Sequence, residues 1–329
     1  MNEMNNKNVY FDRKRKSRVY TFFCLMIYSV ANIMYKAIHL FFCKKNKNIS
    51  KKYNVSICAI FKNEGRYLKE WLEYYKLIGV EHFFLYNNQS DDNYEEILKD
   101  YIDSGVVTLI MWPYQAAQIE AYQDCIIQFK ELTNWIGFVD IDEFVVPIED
   151  DKIGDFLKKY DSYPSVKIYW KMFGTSGLLN RDKTSFVTED FIVAWDKLYE
   201  VGKCFYNTSY DIDFNDPHNK LMHHCLWGKF KGGISLPPVN SKYDFCLDGL
   251  ETYSYNKTVI QCNHYFTKSY SEYIEGKMSK SDVFFKDNPH DLDYFYRHEL
   301  KGVCPDYHIF KYLIKLKLKM LDKEGGAVI

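Results

Sequence analysis

Between residues 53 and 147 the apolar positions fall into short blocks of two alternating kinds. Val55 to Phe61 is a nearly unbroken apolar run, the pattern of a strand buried on both faces, and Lys62-Asn63-Glu64-Gly65 breaks it. Leu68, Trp71, Leu72, Tyr75 and Ile78 then recur at helical spacing, with Gly79 as the stop. His82 to Tyr86 predicts a second strand that runs into the polar loop Asn87 to Asp92, whose carboxylates and hydroxyl can cap a helix carrying Ile97, Leu98 and Tyr101. Gly105 ends that helix, Val106 to Trp112 predicts a third strand, and a helix from about Ile119 to Lys130 leads into Trp135 to Val139. Strand and helix in alternation with short connections predict an α/β fold: right-handed crossovers and a mainly parallel sheet covered on both faces. Ligands of such sheets sit at the carboxyl ends of the strands. The rule brings Asn63-Glu64, the loop 87–92 and Asp140/Asp142 to one edge.

Beyond Pro147 the pattern loosens. Val166 to Trp170 predicts another strand, ending in the turn Phe173-Gly174-Thr175-Ser176-Gly177, and 180–250 mixes polar turns with short apolar runs. The run Val259 to Ser269 offers a short strand leading to His264 and Lys268, four residues apart. Near the end, Leu313, Ile314, Leu316, Leu318, Met320 and Leu321 interleave with lysines, an amphipathic segment whose apolar side is expected in the core.

The amino terminus differs. Val19 to Cys43 is rich in Phe, Ile, Leu, Met and Tyr, and lies between Arg13-Lys14-Arg15-Lys16 with Arg18 and Lys44-Lys45. About 20 apolar residues cross a bilayer, so a membrane anchor is expected. Lys36 and His39 interrupt the far end, which keeps an interfacial amphipathic helix as a competitor, with a signal peptide or a docked surface helix as the remaining readings. Basic residues on both sides leave the positive-inside rule without a direction.

With 329 residues and 47% hydrophobic content the chain can bury a large core, and a net charge of -1 gives it no general attraction for nucleic acid. Nine scattered cysteines without a Cys-x-x-Cys pair favour a reducing compartment over a disulfide framework or a zinc ribbon. Five Asn-x-Ser/Thr sequons begin at Asn48, Asn54, Asn88, Asn207 and Asn256. A glycan on Asn88 would obstruct the loop assigned to ligand, so a cytoplasmic catalytic domain is expected.

Phe138-Val139-Asp140-Ile141-Asp142-Glu143-Phe144 carries the most chemistry. Two carboxylates two residues apart, where a buried strand emerges, can face one cavity and hold a divalent cation against a diphosphate; the plain alternative is two solvated loop carboxylates. Neither Gly-x-Gly-x-x-Gly nor Gly-x-x-x-x-Gly-Lys occurs, so phosphates bound here would rely on a metal and side chains. His223-His224-Cys225 mimics a metal cluster, but neighbours on a strand point to opposite faces, and these residues read as structural, as does His218.

The run Lys62 to Tyr74, then Gly79-Val80-Glu81-His82-Phe83, Tyr86 to Asp92, Phe138 to Phe144, Phe173 to Gly177 and Asn263 to Ser269, six landmarks in order over roughly 54–285, resemble glycosyltransferase family 92 and related family 2-like transferases. The resemblance implies a GT-A fold, a UDP-sugar donor, a glycan acceptor, transfer with inversion, possible use of galactose, and Mn²⁺ or Mg²⁺ held by the Asp-x-Asp pair. Its domain plan is a basic segment 1–52 with a membrane helix at about 19–43, a GT-A domain over 53–290, and an amphipathic segment 291–329.

The family pattern puts Asp142 and His264 on the metal, with Asp140 beside metal and donor ribose, and Glu143 orients the loop. Lys268 and Ser269 can reach the diphosphate, although a surface lysine is the plain alternative. Asn63 and Glu64, with Asn87 and Asn88, match positions that hold uracil and ribose; turn formation and helix capping compete for them. Inversion in one step needs a carboxylate base, for which Glu189 and Asp190 are chosen over Asp211, Asp213 and Asp216. A retaining transferase of the same architecture, or a noncatalytic glycan- or nucleotide-binding protein, are the competing functions.

Overall fold

A computed structural model describes residues 17–42, 51–182, 184–230, 233–247, 258–279 and 288–323. The first half runs α1 (Arg18–Phe42), β1 (Tyr53–Phe61), α2 (Gly65–Leu77), β2 (His82–Asn87), α3 (Tyr94–Asp103), β3 (Val107–Met111), α4 (Gln118–Phe129) and β4 (Thr133–Phe138). After it come β5 (Glu143–Pro147), α5 (Ile153–Leu157), β6 (Ser165–Met172), α6 (Val187–Asp190), β7 (Val193–Trp195) and β8 (Tyr199–Asn207). The last part holds β9 (Gly228–Lys229), β10 (Ser235–Leu236), β11 (Ile260–His264), α7 (Tyr270–Glu272), α8 (Leu292–Glu299), β12 (Gly302–Pro305) and α9 (Phe310–Lys323).

Eight strands form one sheet in the order β3-β2-β1-β4-β8-β6-β11-β5. The pairings β2–β3, β1–β2, β1–β4 and β6–β11 are parallel, whereas β4–β8, β6–β8 and β5–β11 are antiparallel. The doubly wound half is therefore the alternating segment legible in the sequence, and a mixed half begins just past Asp142, giving the expected α/β, GT-A-type arrangement. β1 explains why: Val55, Ile57, Cys58 and Ala59 are wholly buried on both faces, with β2 and β4 on either side. α2 covers one face with Leu68, Trp71, Leu72, Tyr75 and Ile78, all inaccessible, and Gly79 at φ +95 ends it in the left-handed conformation that glycine adopts without strain.

α2 lacks a cap from its own N-cap residue, Glu64. Asp92 of the next loop supplies one, accepting from the Gly65 amide at 2.7 Å. Asn63 and Ser90 tighten the same junction, the Asn63 amide donating to Ser90 Oγ at 2.9 Å and the Asp91 amide to Asn63 Oδ1 at 2.9 Å. Two loops predicted to converge are thus sewn together.

β5 and β8 carry no signal in the reading above. The short β5 hides within the acidic motif, and β8 sits in the stretch whose turns mask periodicity. The carboxy-terminal segment joins the same core through Tyr312, Leu313 and Leu316, while Ile314, Leu318 and Leu321 stay exposed. α9 lies against α2 and α6, and β12 pairs with β7. α1 lies along the domain surface, with Tyr28 and Tyr35 buried against it.

A Cβ on Gly202 would stand 2.1 Å from the Ile168 carbonyl oxygen, a backbone atom that cannot step aside. Gly202→Ala is expected to cost about 1–3 kcal/mol by overpacking, read as a fall in urea midpoint. Gly276→Ala, where nothing lies within 4 Å, is the control that should not fall.

Candidate active site

The Asp-x-Asp turn links β4 to the edge strand β5, and its backbone is held from below. Trp71 Nε1 donates to the carbonyls of Asp140 (3.0 Å) and Glu143 (3.1 Å), and the Tyr265 amide donates to the carbonyl of Asp142 at 2.9 Å. His264 reaches the same place because β11 pairs antiparallel with β5, in a register that sets His264 opposite Glu143. One ligand atom each from Asp142, Glu143 and His264 lie within 4.8 Å of one another, and all three residues are buried. His264 Nε2 stands 3.6 Å from Asp142 Oδ1, and its Nδ1 stands 3.9 Å from Glu143 Oε1.

Two buried atoms of this group, Glu143 Oε1 and His264 Nδ1, have no hydrogen-bond partner. Burial lowers the imidazole despite the pull of Asp142, which keeps it neutral and able to ligate. Burial alone would raise the Asp142 carboxyl, but Lys277 and His264 hold it well below the carboxylate range. Burial pushes Glu143 well above its ordinary value, more than Lys203 can oppose. Orphaned acceptors, an ionised carboxylate and a neutral imidazole fit a hard divalent cation such as Mn²⁺ or Mg²⁺.

Asp140 stands apart from that triplet. Its Oδ2 pairs with Lys203 at 2.7 Å, while its Oδ1 accepts from Gln118 Nε2 and Tyr122 Oη, each at 3.1 Å. Lys203 is buried in mid-strand β8 and also lies 3.4 Å from Glu143 Oε2. Burial would strip its proton, yet the two carboxylates raise its pKa instead. Lys277 sits in the π-helical turn Tyr273–Met278 and pairs with Asp142 Oδ2 at 2.7 Å. Neither lysine was foreseen. For Lys203 a signal existed, a lone charge in the apolar run Val201 to Tyr206; Lys277 has none.

The remaining expected residues divide. Lys268 is buried, adopts φ +51, and places Nζ 4.3 Å from the Tyr67 ring. Burial lowers its pKa, against the charges of Glu64 and Asp142, so Glu64, Lys268 and Asp142 feel one another across the site. Ser269 is the N-cap of α7 and forms a capping box with Glu272. Asn87 is sealed inside, its Oδ1 accepting from the Ser90 amide, and the Asn88 amide donates to the carbonyls of Trp112 and Tyr114, both at 2.7 Å. Asn63 and Glu64 occupy the mouth of β1.

Glu189 bonds to Lys317 of α9 on the α2 side. Asp190 accepts from Ser185 and lies 3.7 Å from Arg181, whose guanidinium also binds Glu272. The competitors lie elsewhere: Asp211 pairs with Lys130, Asp213 with Lys229, and Asp216 caps the turn at His218. A cleft of about 720 Å³ that includes Asp211, Asn54 and Asn134 opens at the amino-terminal ends of β1 and β4, far from the acidic motif. His223 and His224 are held low by burial, and their rings meet at a tilt with centroids 3.8 Å apart.

Lys203→Met would leave the buried Glu143 and the part-buried Asp140 without their countercharge. The expected loss is about 3–5 kcal/mol at neutral pH, read in urea unfolding. Lys203 holds the Asp140 carboxyl below its ordinary value against burial, so without it the native state binds more protons and the deficit should shrink as pH falls. A pH-independent deficit would rule out the electrostatic account.

The sequence profile of glycosyltransferase family 92 matches residues 51–214. A glycosyltransferase family 92 protein of Oryza sativa subsp. japonica is 34% identical over 131 residues, which is 39% of this chain and 22% of that protein. The beta-1,4-galactosyltransferase galt-1 of Caenorhabditis elegans is 32% identical over 110 residues, 29% of this chain and 26% of its own. The matched part thus spans about a quarter of the length of these relatives. Among solved structures, Staphylococcus aureus TarS 1-349 superposes with a TM-score of 0.34 at 13% identity over 47% of each chain. Through residues 51–214 this chain belongs to glycosyltransferase family 92.

Proposed function

We propose that this protein is a membrane-attached, metal-assisted glycosyltransferase that moves galactose from UDP-galactose to a glycan hydroxyl with inversion. The observation that carries the reading is the buried Asp142–Glu143–His264 triplet at the carboxyl ends of the strands, with Lys268 and Lys277 beside it. The sugar is taken from relatives named as galactosyltransferases, galt-1 and the Arabidopsis thaliana galactan beta-1,4-galactosyltransferase GALS3. UDP-galactose holds its sugar in α-linkage, so a β-linked product means inversion.

Asp142 and His264 would hold the cation, with Glu143 as a third oxygen, and the bound ion supplies countercharge to the departing diphosphate. Lys268 and Lys277 add fixed positive charge on the same side. Asn63 and Glu64 take uracil and ribose, and Asn87 and Asn88 shape that loop. Ser269 orders the turn that presents Lys268. Asp140, clamped by Lys203, keeps the turn in place next to the ribose. Of the two acceptor-side carboxylates, Asp190 is the better placed base, because Arg181 and Glu272 connect it to the site's edge, whereas Glu189 is engaged by Lys317. That base takes the proton of the acceptor hydroxyl as the new C1–O bond forms on one face and the bond to phosphate breaks on the other, UDP leaving with the electron pair. The cytoplasm suits this domain, since a glycan on Asn88 would replace one of the two amide hydrogens that bond the Trp112 and Tyr114 carbonyls.

UDP release from UDP-galactose in Mn²⁺, with an oligosaccharide acceptor, is the direct test. Asp142→Ala and His264→Ala should each lower kcat/KM by roughly 10²-fold or more, and the product should show a β anomeric coupling in NMR. Undiminished turnover in EDTA and in Asp142→Ala would sink the metal role; an α product would mean retention.

Lys277 gives a second test. Its ammonium takes the Asp142 oxygen that a cation would take, so Lys277→Met should bind Mn²⁺ roughly tenfold more tightly without nucleotide, and UDP more weakly without metal. Calorimetric titration reads both, and unchanged affinities would remove Lys277 from the site.

A further inference from the structure

α1 presents two opposite faces. One is clasped to the domain. Tyr28 Oη donates to the Phe245 carbonyl (2.7 Å), the Phe245 amide donates to Asn32 Oδ1 (2.9 Å), and Tyr35 Oη donates to the Pro237 carbonyl (3.0 Å). Lys36 pairs with Asp244 at 2.7 Å, and His39 bonds the Ser162 carbonyl while its ring stacks on Tyr163 at 3.8 Å. Tyr28, Asn32, Tyr35 and His39 recur every three or four positions, with Lys36 beside Tyr35, over a span of about 17 Å of helix, so α1 lies along the surface.

The opposite face holds Phe22, Phe23, Met26, Val30, Ile33 and Met34, each at least half exposed. No charged side chain interrupts it. A contiguous apolar stripe of this size does not belong in water. What covers it is indicated by charge: from Arg13 to Asn63 the chain has no acidic residue, while five basic residues precede Val19 and Lys44, Lys45 and Lys47 follow Cys43. That pattern complements an anionic lipid surface.

We propose that α1 is an in-plane membrane element, its apolar face sunk into an anionic bilayer interface and its polar stripe holding the domain. Spanning and docking exclude each other. A helix that crossed the bilayer would have to release all five partners and carry Asn32, Lys36 and His39 into hydrocarbon. The inference stands on α1 alone and survives if the glycosyltransferase reading fails.

The test uses the full chain in right-side-out and inverted membrane vesicles from the expressing host, treated with a membrane-impermeant amine reagent and mapped by mass spectrometry. Lys14 and Lys16 on one side of α1, and Lys44, Lys45 and Lys47 on the other, should label together in one vesicle orientation and stay unlabelled together in the other. One set labelling in each orientation would mean a spanning helix and would overturn the proposal. Met26→Glu/Ile33→Glu, both at exposed positions, should move the chain to the soluble fraction with an unchanged Tm. Retention of that variant in the membrane fraction, or a wild-type chain found as a soluble dimer, would also overturn it.

Discussion

The ion pair between Lys203 and Asp140, shared with Glu143, is the constraint on which the site depends. An ammonium buried in the middle of a strand is tolerable only if its partners are held within hydrogen-bond reach. Lys203 therefore ties β8 to the turn after β4, at the very pairing where the sheet changes from parallel to antiparallel. Trp71 fixes that turn from the other side, through two carbonyls. Side chain and backbone are locked together, so Asp142 and His264 can stay poised without touching each other closely.

The result is a pocket in which opposite charges are already interleaved. Asp140 belongs to Lys203, Asp142 belongs to Lys277, and Glu143, 3.4 Å from Lys203, is the carboxyl whose pKa burial raises. Such an arrangement is stable without a ligand. It also means that any cation entering must compete with ammonium groups for the same oxygens, while a diphosphate finds positive charge already in place.

Much of this was legible in the chain. The parallel half follows from the alternation of unbroken apolar runs with helical spacing, because burial on both faces and amphipathic cover leave distinct patterns. Convergence of 62–65, 87–92 and 140–142 followed from the rule of carboxyl ends, whereas the late histidine was implied by the family resemblance. Lys277 was not legible, and the partners of Lys203 were not either, since they are set by pairing between distant segments and not by local period, although its lone charge in an apolar run marked the position. Ser269 shows the complementary limit: a hydroxyl beside a lysine suggests phosphate contact, yet its observed bonds cap a helix, and both roles ask for the same residue type.

α1 is moored near the start of β6, since Ser162 and Tyr163 lie just before that strand and Val239, two residues after Pro237, bonds to Ser165 and Lys167. His264 pairs at the other end of β6, opposite Met172. Roughly 23 Å of strand separates the two. The face that α1 seats on lipid and the carboxylate turn thus belong to opposite ends of one strand, so the site need not sit at the lipid contact.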